Sequence, residues 1–216
     1  MIRYLALLCL IPSLALASVE IKGSGTTNVA KVNASGSLQV NEGASQRVTY
    51  IASAGGLATT ALFNMSIESG AALGYKISQI CVGVSNATAA ALVTVTVQRR
   101  TTASSGGTAM TNDGTASPTI SRMDQADGTW PGTGRVTATL GTAGAILDQW
   151  GFTVGEIGAG AADTHSLPVF CRQYGLNGEK LPTAPSGATN GISVNVSAPG
   201  AGGLAAGSIS MTLIAE

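Results

Sequence analysis

Groups able to do acid–base or metal chemistry are scarce in this chain of 216 residues. It holds one histidine, His165, with 10% charged and 4% aromatic residues. A Ser-His-Asp or Cys-His hydrolase would have to use that one imidazole, because the nucleophile needs an adjacent base. Its setting, Ala162-Asp163-Thr164-His165-Ser166-Leu167-Pro168, reads as a loop entering a strand, and no G-x-S-x-G elbow occurs in the chain. One histidine and well-separated cysteines cannot complete a tetrahedral zinc set. A glycosidase would need two carboxylates across a sugar cleft, and Asp148, Glu156 and Asp163 lack the aromatic floor that binds a sugar ring. No catalytic residue, cofactor or metal site is expected, and the chain reads as a non-enzyme.

Charge of one sign is also missing in excess. Lys+Arg 11 balance Asp+Glu 11, so no basic stripe collects phosphates and nucleic acid is not an expected partner. A protein near zero net charge loses colloidal repulsion and associates readily, which suits a subunit of an assembly. Two Asx-rich segments, Asn112-Asp113-Gly114 and Asp124-Gln125-Ala126-Asp127-Gly128, offer oxygen ligands that calcium accepts. Neither has EF-hand spacing, and both read first as turns.

What the chain has in quantity is two-residue alternation. Strands are expected at Ser18–Lys22, Val29–Asn33, Ser37–Val40, Gln46–Ala52, Ala61–Ser69, Tyr75–Val84 and Ala91–Thr101. They continue at Thr119–Met123, Arg135–Leu140, Ile146–Val154, Leu167–Tyr174, Ile192–Ser197 and Ser208–Ala215. Glycine, 29 of 216 residues, punctuates them in turns such as Gly55-Gly56, Asn177-Gly178 and Gly202-Gly203. Thr102–Pro118 and Asp124–Gly134 read as long irregular stretches. No window carries the apolar stripe of an amphipathic helix. Many short strands with frequent turns specify an all-β protein: an antiparallel, jelly-roll-like β-sandwich preceded by an N-terminal β-hairpin.

The alternation also sorts the faces. Val93, Val95 and Val97 face one way, with Thr94 and Thr96 opposite; Ile209, Met211 and Leu213 stand against Ser208, Ser210 and Thr212. A Thr/Ser face without charge costs little to desolvate, so a neighbouring subunit can cover it. Ordinary solvent-facing sheet is the alternative.

Arg3, the apolar stretch Tyr4–Ile11 and Ala15-Leu16-Ala17 make residues 1–17 read as a signal peptide or, failing that, a retained apolar arm. That stretch is too short to span a bilayer, and no later run reaches the ~20 apolar residues a membrane helix requires, so no membrane contact is expected after signal removal. Residues 18–45 follow as a strand and hairpin segment and residues 46–216 as the sandwich domain. Cleavage would remove Cys9 and leave Cys81 and Cys171, either bridged, as an exported pair often is, or as two separate thiols.

The segment Val19–Val40 contains Gly25-Thr26-Thr27-Asn28-Val29-Ala30-Lys31-Val32 followed by Gly36-Ser37-Leu38-Gln39-Val40. It resembles the opening hairpin of small tailed-bacteriophage virion proteins, and the Gly/Ala/Thr-rich strands beyond it share the style of decoration, fibre and minor capsid subunits. The resemblance implies a non-enzymatic, self-associating virion component whose partners are itself and other virion proteins. Two further readings stay open. One is an exported bacterial or archaeal surface-filament or matrix subunit, joined by donating the strand Ser18, Val19, Glu20, Ile21 and Lys22 to a neighbour's sheet edge. The other is a secreted carbohydrate-binding module using Trp130 or Trp150. The expected location is the virion, or alternatively the cell surface or medium.

Overall fold

A computed structural model describes residues 31–32, 38–39, 47–57, 62–86, 91–154, 169–197 and 204–216. They fall in two compact units, residues 1–46 and 47–216. In the first, β1 (Lys31–Val32) pairs antiparallel with β2 (Leu38–Gln39). The expected strand Ser18–Lys22, the segment 1–17 and His165 lie outside the described residues.

The second unit is all-β, with no helix among the described residues. Its strands are β3 (Thr49–Leu57), β4 (Leu62–Glu68), β5 (Tyr75–Asn86), β6 (Ala91–Arg100), β7 (Thr108–Ala109), β8 (Thr111–Asn112) and β9 (Thr119–Arg122). They continue with β10 (Thr133–Val136), β11 (Ala143–Val154), β12 (Val169–Gln173), β13 (Thr183–Ala184), β14 (Gly191–Ser197) and β15 (Leu204–Ala215). A seven-stranded sheet has the order β12-β5-β15-β3-β9-β8, with β13 also on β5; a six-stranded sheet has the order β11-β6-β14-β4-β10-β7. All pairings are antiparallel except β8 with β9. The two sheets pack as a β-sandwich.

Alternation explains the core. Val93, Val95 and Val97 from β6, Ile192, Val194 and Val196 from β14, and Phe63, Met65 and Ile67 from β4 form one wall, every one at most 1% exposed. The register places Val194 between Val97 and Met65, so branched side chains meet across strands. Ile77, Ile80, Val82, Ile209, Met211 and Leu213 form the opposite wall. Tyr75 joins the two: its hydroxyl donates to Ile67 O at 2.6 Å and accepts from Ile192 N–H at 2.9 Å.

Several expected elements differ: Gly55-Gly56, expected as a turn, lies inside β3, which runs on to Leu57 with an irregular register against β15. The strand expected over Arg135–Leu140 is β10, which ends at Val136. Thr137 takes φ 50°, and the Asn64 amide then bonds both backbone groups of Ala138 at 3.0 and 3.1 Å, standing in for a partner strand. The stretch expected to be irregular, Thr102–Pro118, contains β7 and β8. Gly107 permits the approach of β7 to β10, because it adopts φ +63° and any Cβ there would collide with Val136 O.

Candidate functional site

The outer faces of the two sheets are used differently. On the six-stranded sheet, Ser66, Glu68, Arg100 and Ser193 point away from the core yet are buried. The segments 101–105 and 137–142 fold back over them, linked to each other by the Ser105–Thr139 bridge. Glu68, fully buried, accepts from Ser66 Oγ at 2.9 Å, Ser104 N–H at 3.1 Å and Thr133 Oγ1 at 2.9 Å. Arg100 donates to Ser193 Oγ, Gly141 O and Gln98 Oε1 at 2.8, 3.1 and 3.0 Å. Burial pulls its pKa below the usual arginine value. Between these two charges in the register stands Gly191, whose missing Cβ would lie 2.5 Å from Ile67 O. Ser66, Glu68, Arg100 and Ser193 each have partners, as burial demands. It is a structural layer that holds covering loops onto a sheet.

On the seven-stranded sheet the outward residues are Val169, Cys171 and Gln173 on β12, Gln79 and Cys81 on β5, and Ser208, Ser210 and Thr212 on β15. Ile51 and Ser53 follow on β3, with Thr119 and Ser121 on β9. None is charged. One transverse row runs Cys171, Cys81, Ser210, Ser53, Thr119. Within it Ser53 Oγ and Thr119 Oγ1 share a hydrogen bond at 3.4 Å. Charge appears at the margin, where Lys76 and Arg47 pair with Glu216. Cys81 and Cys171 are directly opposite in the antiparallel register and form a disulfide, fastening the edge strand β12 to β5 on this outer face.

A third feature lies where the sandwich opens between edge strands β11 and β12. Phe152 stacks on Phe170 with ring centroids 3.9 Å apart. Nearby, Asp148 Oδ2 accepts from Arg172 Nε at 3.2 Å and from the Tyr174 hydroxyl at 3.1 Å. Burial, followed by the charge of Asp148, pushes the Tyr174 pKa well above its ordinary value. All five residues of β12 are exposed, and nothing among the described residues pairs with its outer edge.

The two tryptophans part company. Trp130 is 2% exposed and wedged edge-on against Tyr50 and Tyr75, at 5.0 and 5.4 Å. Its indole is core, so it presents no face to a sugar, which corrects the expectation of a glycan contact at this residue. Trp150 is half-buried against the core from β11, on the inward side of the strand. The acidic turns do not form a cation cage either. Asp113 Oδ1 accepts the Arg122 amide at 3.1 Å and Oδ2 lies 3.1 Å from Arg122 Nε, while Arg122 Nη1 donates to Asp127 O at 2.6 Å. The Asp113 carboxylate and the Asp127 carbonyl are thus committed to Arg122. Among the described residues no cluster of three acidic, histidine or cysteine side chains exists.

Alternation located the neutral face but not the buried Glu68 and Arg100, because covering loops leave no periodic signature. No protein-family model, curated protein or solved structure matches the chain.

Proposed function

We propose that the protein is a non-enzymatic structural subunit that works by self-association on a particle surface, a bacteriophage virion protein of the decoration, minor capsid or fibre type. One observation carries the reading: inside its charged margin at Lys76, the outer face of the seven-stranded sheet presents uncharged, partly exposed side chains from β12 to β9, while the chain's own loops cover the Glu68–Arg100 end of the other sheet. Covering hydroxyls and short apolar side chains costs little desolvation, whereas burying an unpaired charge costs far more. The disulfide on this face holds its edge strand in register for a partner. A jelly roll, the kind of sandwich expected from the sequence, is an architecture that viral capsid proteins share with lectins and cupins. That supports the reading, and the face supplies its specificity.

Sedimentation velocity tests the idea. The wild-type chain should sediment as an oligomer, and Ser53→Arg with Ser210→Arg should yield a folded monomer with an unchanged melting temperature. A wild-type monomer at high concentration, or an oligomer indifferent to the arginines, overturns it. Mass spectrometry of purified particles tests the virion assignment.

The edge of β12, exposed and unpaired among the described residues, favours a second reading, assembly by strand donation from residues 18–22 of a neighbouring copy. Deleting residues 18–28 should then abolish polymerisation and leave residues 47–216 folded.

A further inference from the structure

The inward row of β6 runs Val93, Val95, Val97 and then Arg99. Its register partner in β14 is the buried Ile192. A guanidinium therefore occupies a position that alternation assigns to an apolar side chain. Its Nη2 donates to Thr183 O at 3.1 Å, and its Nε is shielded from solvent without a partner among the described residues. A buried donor on a charged group is expensive to leave unpaired, and such an orphan calls for an explanation.

Arg99 lines an open groove of about 560 Å³ together with Lys76, Glu179, Lys180, Leu181 and Thr183. That size is ordinary for a small-molecule site. Glu179 is already committed: its Oε1 accepts Gly175 N–H at 3.0 Å and its Oε2 accepts Asn177 N–H at 2.9 Å. The Asn177 amide foremost, with its neighbours in the turn, holds the Glu179 carboxyl below the usual carboxylate range. Lys76 is engaged by Glu216. Arg99, Lys76 and Lys180, with Arg47 sharing Glu216, outnumber these two carboxylates, so positive charge is in excess at the groove.

We propose that this groove is a binding site for a small organic carboxylate, with the carboxylate held by Arg99 and Lys180. A guanidinium suits the task because its fork matches the two oxygens of a carboxylate. The proposal is independent of the assembly reading, since the groove needs no second copy.

Titration of the intact chain with millimolar acetate and citrate, followed through the arginine Nε–H resonances, tests it. A saturable shift of the Arg99 signal is expected, with glycerol giving none. Lys180→Gln, an exposed-loop change that spares the sheet, should weaken binding about tenfold. Arg99→Gln should abolish it, and Arg135→Gln, remote from the groove lining, should not. No saturable shift with either anion overturns the proposal, as does binding that survives both Arg99→Gln and Lys180→Gln. A shift produced equally by chloride at the same ionic strength also overturns it, because screening alone would then account for the effect.

Discussion

Tyr75 reaches from the seven-stranded sheet to donate its hydroxyl proton to Ile67 O, 2.6 Å away in the six-stranded sheet. Ile192 N–H donates to the same hydroxyl, so one phenol satisfies two buried backbone groups in the facing sheet. Tyr75→Phe keeps the ring and orphans both. The expected loss is about 2–3 kcal/mol of stability, measured as a lower urea midpoint with an unchanged slope.

Tyrosine ionisation gives a pH test. Burial raises the pKa of Tyr75 and of Tyr174, and Asp148 raises Tyr174 further. In the unfolded chain both ionise near pH 10. Above that pH the folded state therefore binds more protons than the unfolded state, and stability falls as pH rises. The melting temperature should decline above about pH 10, and Tyr174→Phe should flatten part of that decline. A wild-type curve as flat as the variant's would contradict the assignment.

The Cys81–Cys171 bridge closes a sequence separation of 90 residues. Restricting an unfolded loop of that length contributes about 4.6 kcal/mol in the chain-entropy account. Reduction, or Cys81→Ser with Cys171→Ser, should lower the denaturation midpoint by a corresponding amount. Because β12 is otherwise exposed at the edge, hydrogen exchange should rise first in Val169–Gln173.

Glu68 is the hub of the loop-closing layer. Glu68→Ala removes the acceptor for Ser104 N–H, Ser66 Oγ and Thr133 Oγ1 together, with an expected cost of about 3 kcal/mol. Ser104→Ala should cost only about 1 kcal/mol. Limited proteolysis of Glu68→Ala should cut within residues 101–106 before the sheets unfold.

Much of the sandwich is legible in alternation. β6 and β15 read directly, because Val and Met on one side with Thr and Ser on the other leave a single choice of face. The end of β10 does not read, because Thr137 turns out of the ladder to meet the Asn64 side chain, a partner 74 residues away. Trp130 misleads for a similar reason: its flanking Pro131 and Gly132 look like an exposed turn, but Tyr50 and Tyr75 enclose the ring. Arg99 follows the Val93–Val97 row on the same face, and its role does not read from the alternation. The turn that meets it, at Gly178–Lys180, is 79 or more residues away in the chain and leaves no trace in the local pattern.

The strand order has a consequence for synthesis. β14 lies between β4 and β6, and β15 lies between β3 and β5. These two central strands come last in the sequence, so neither sheet is continuous until residues 191–215 have left the ribosome. Earlier strands must wait with their inner faces unpaired, and distant partners make closure slow. A nascent chain stalled near residue 190 would therefore hold most of its valines and isoleucines without a sandwich to bury them, a state in which chaperones would find it.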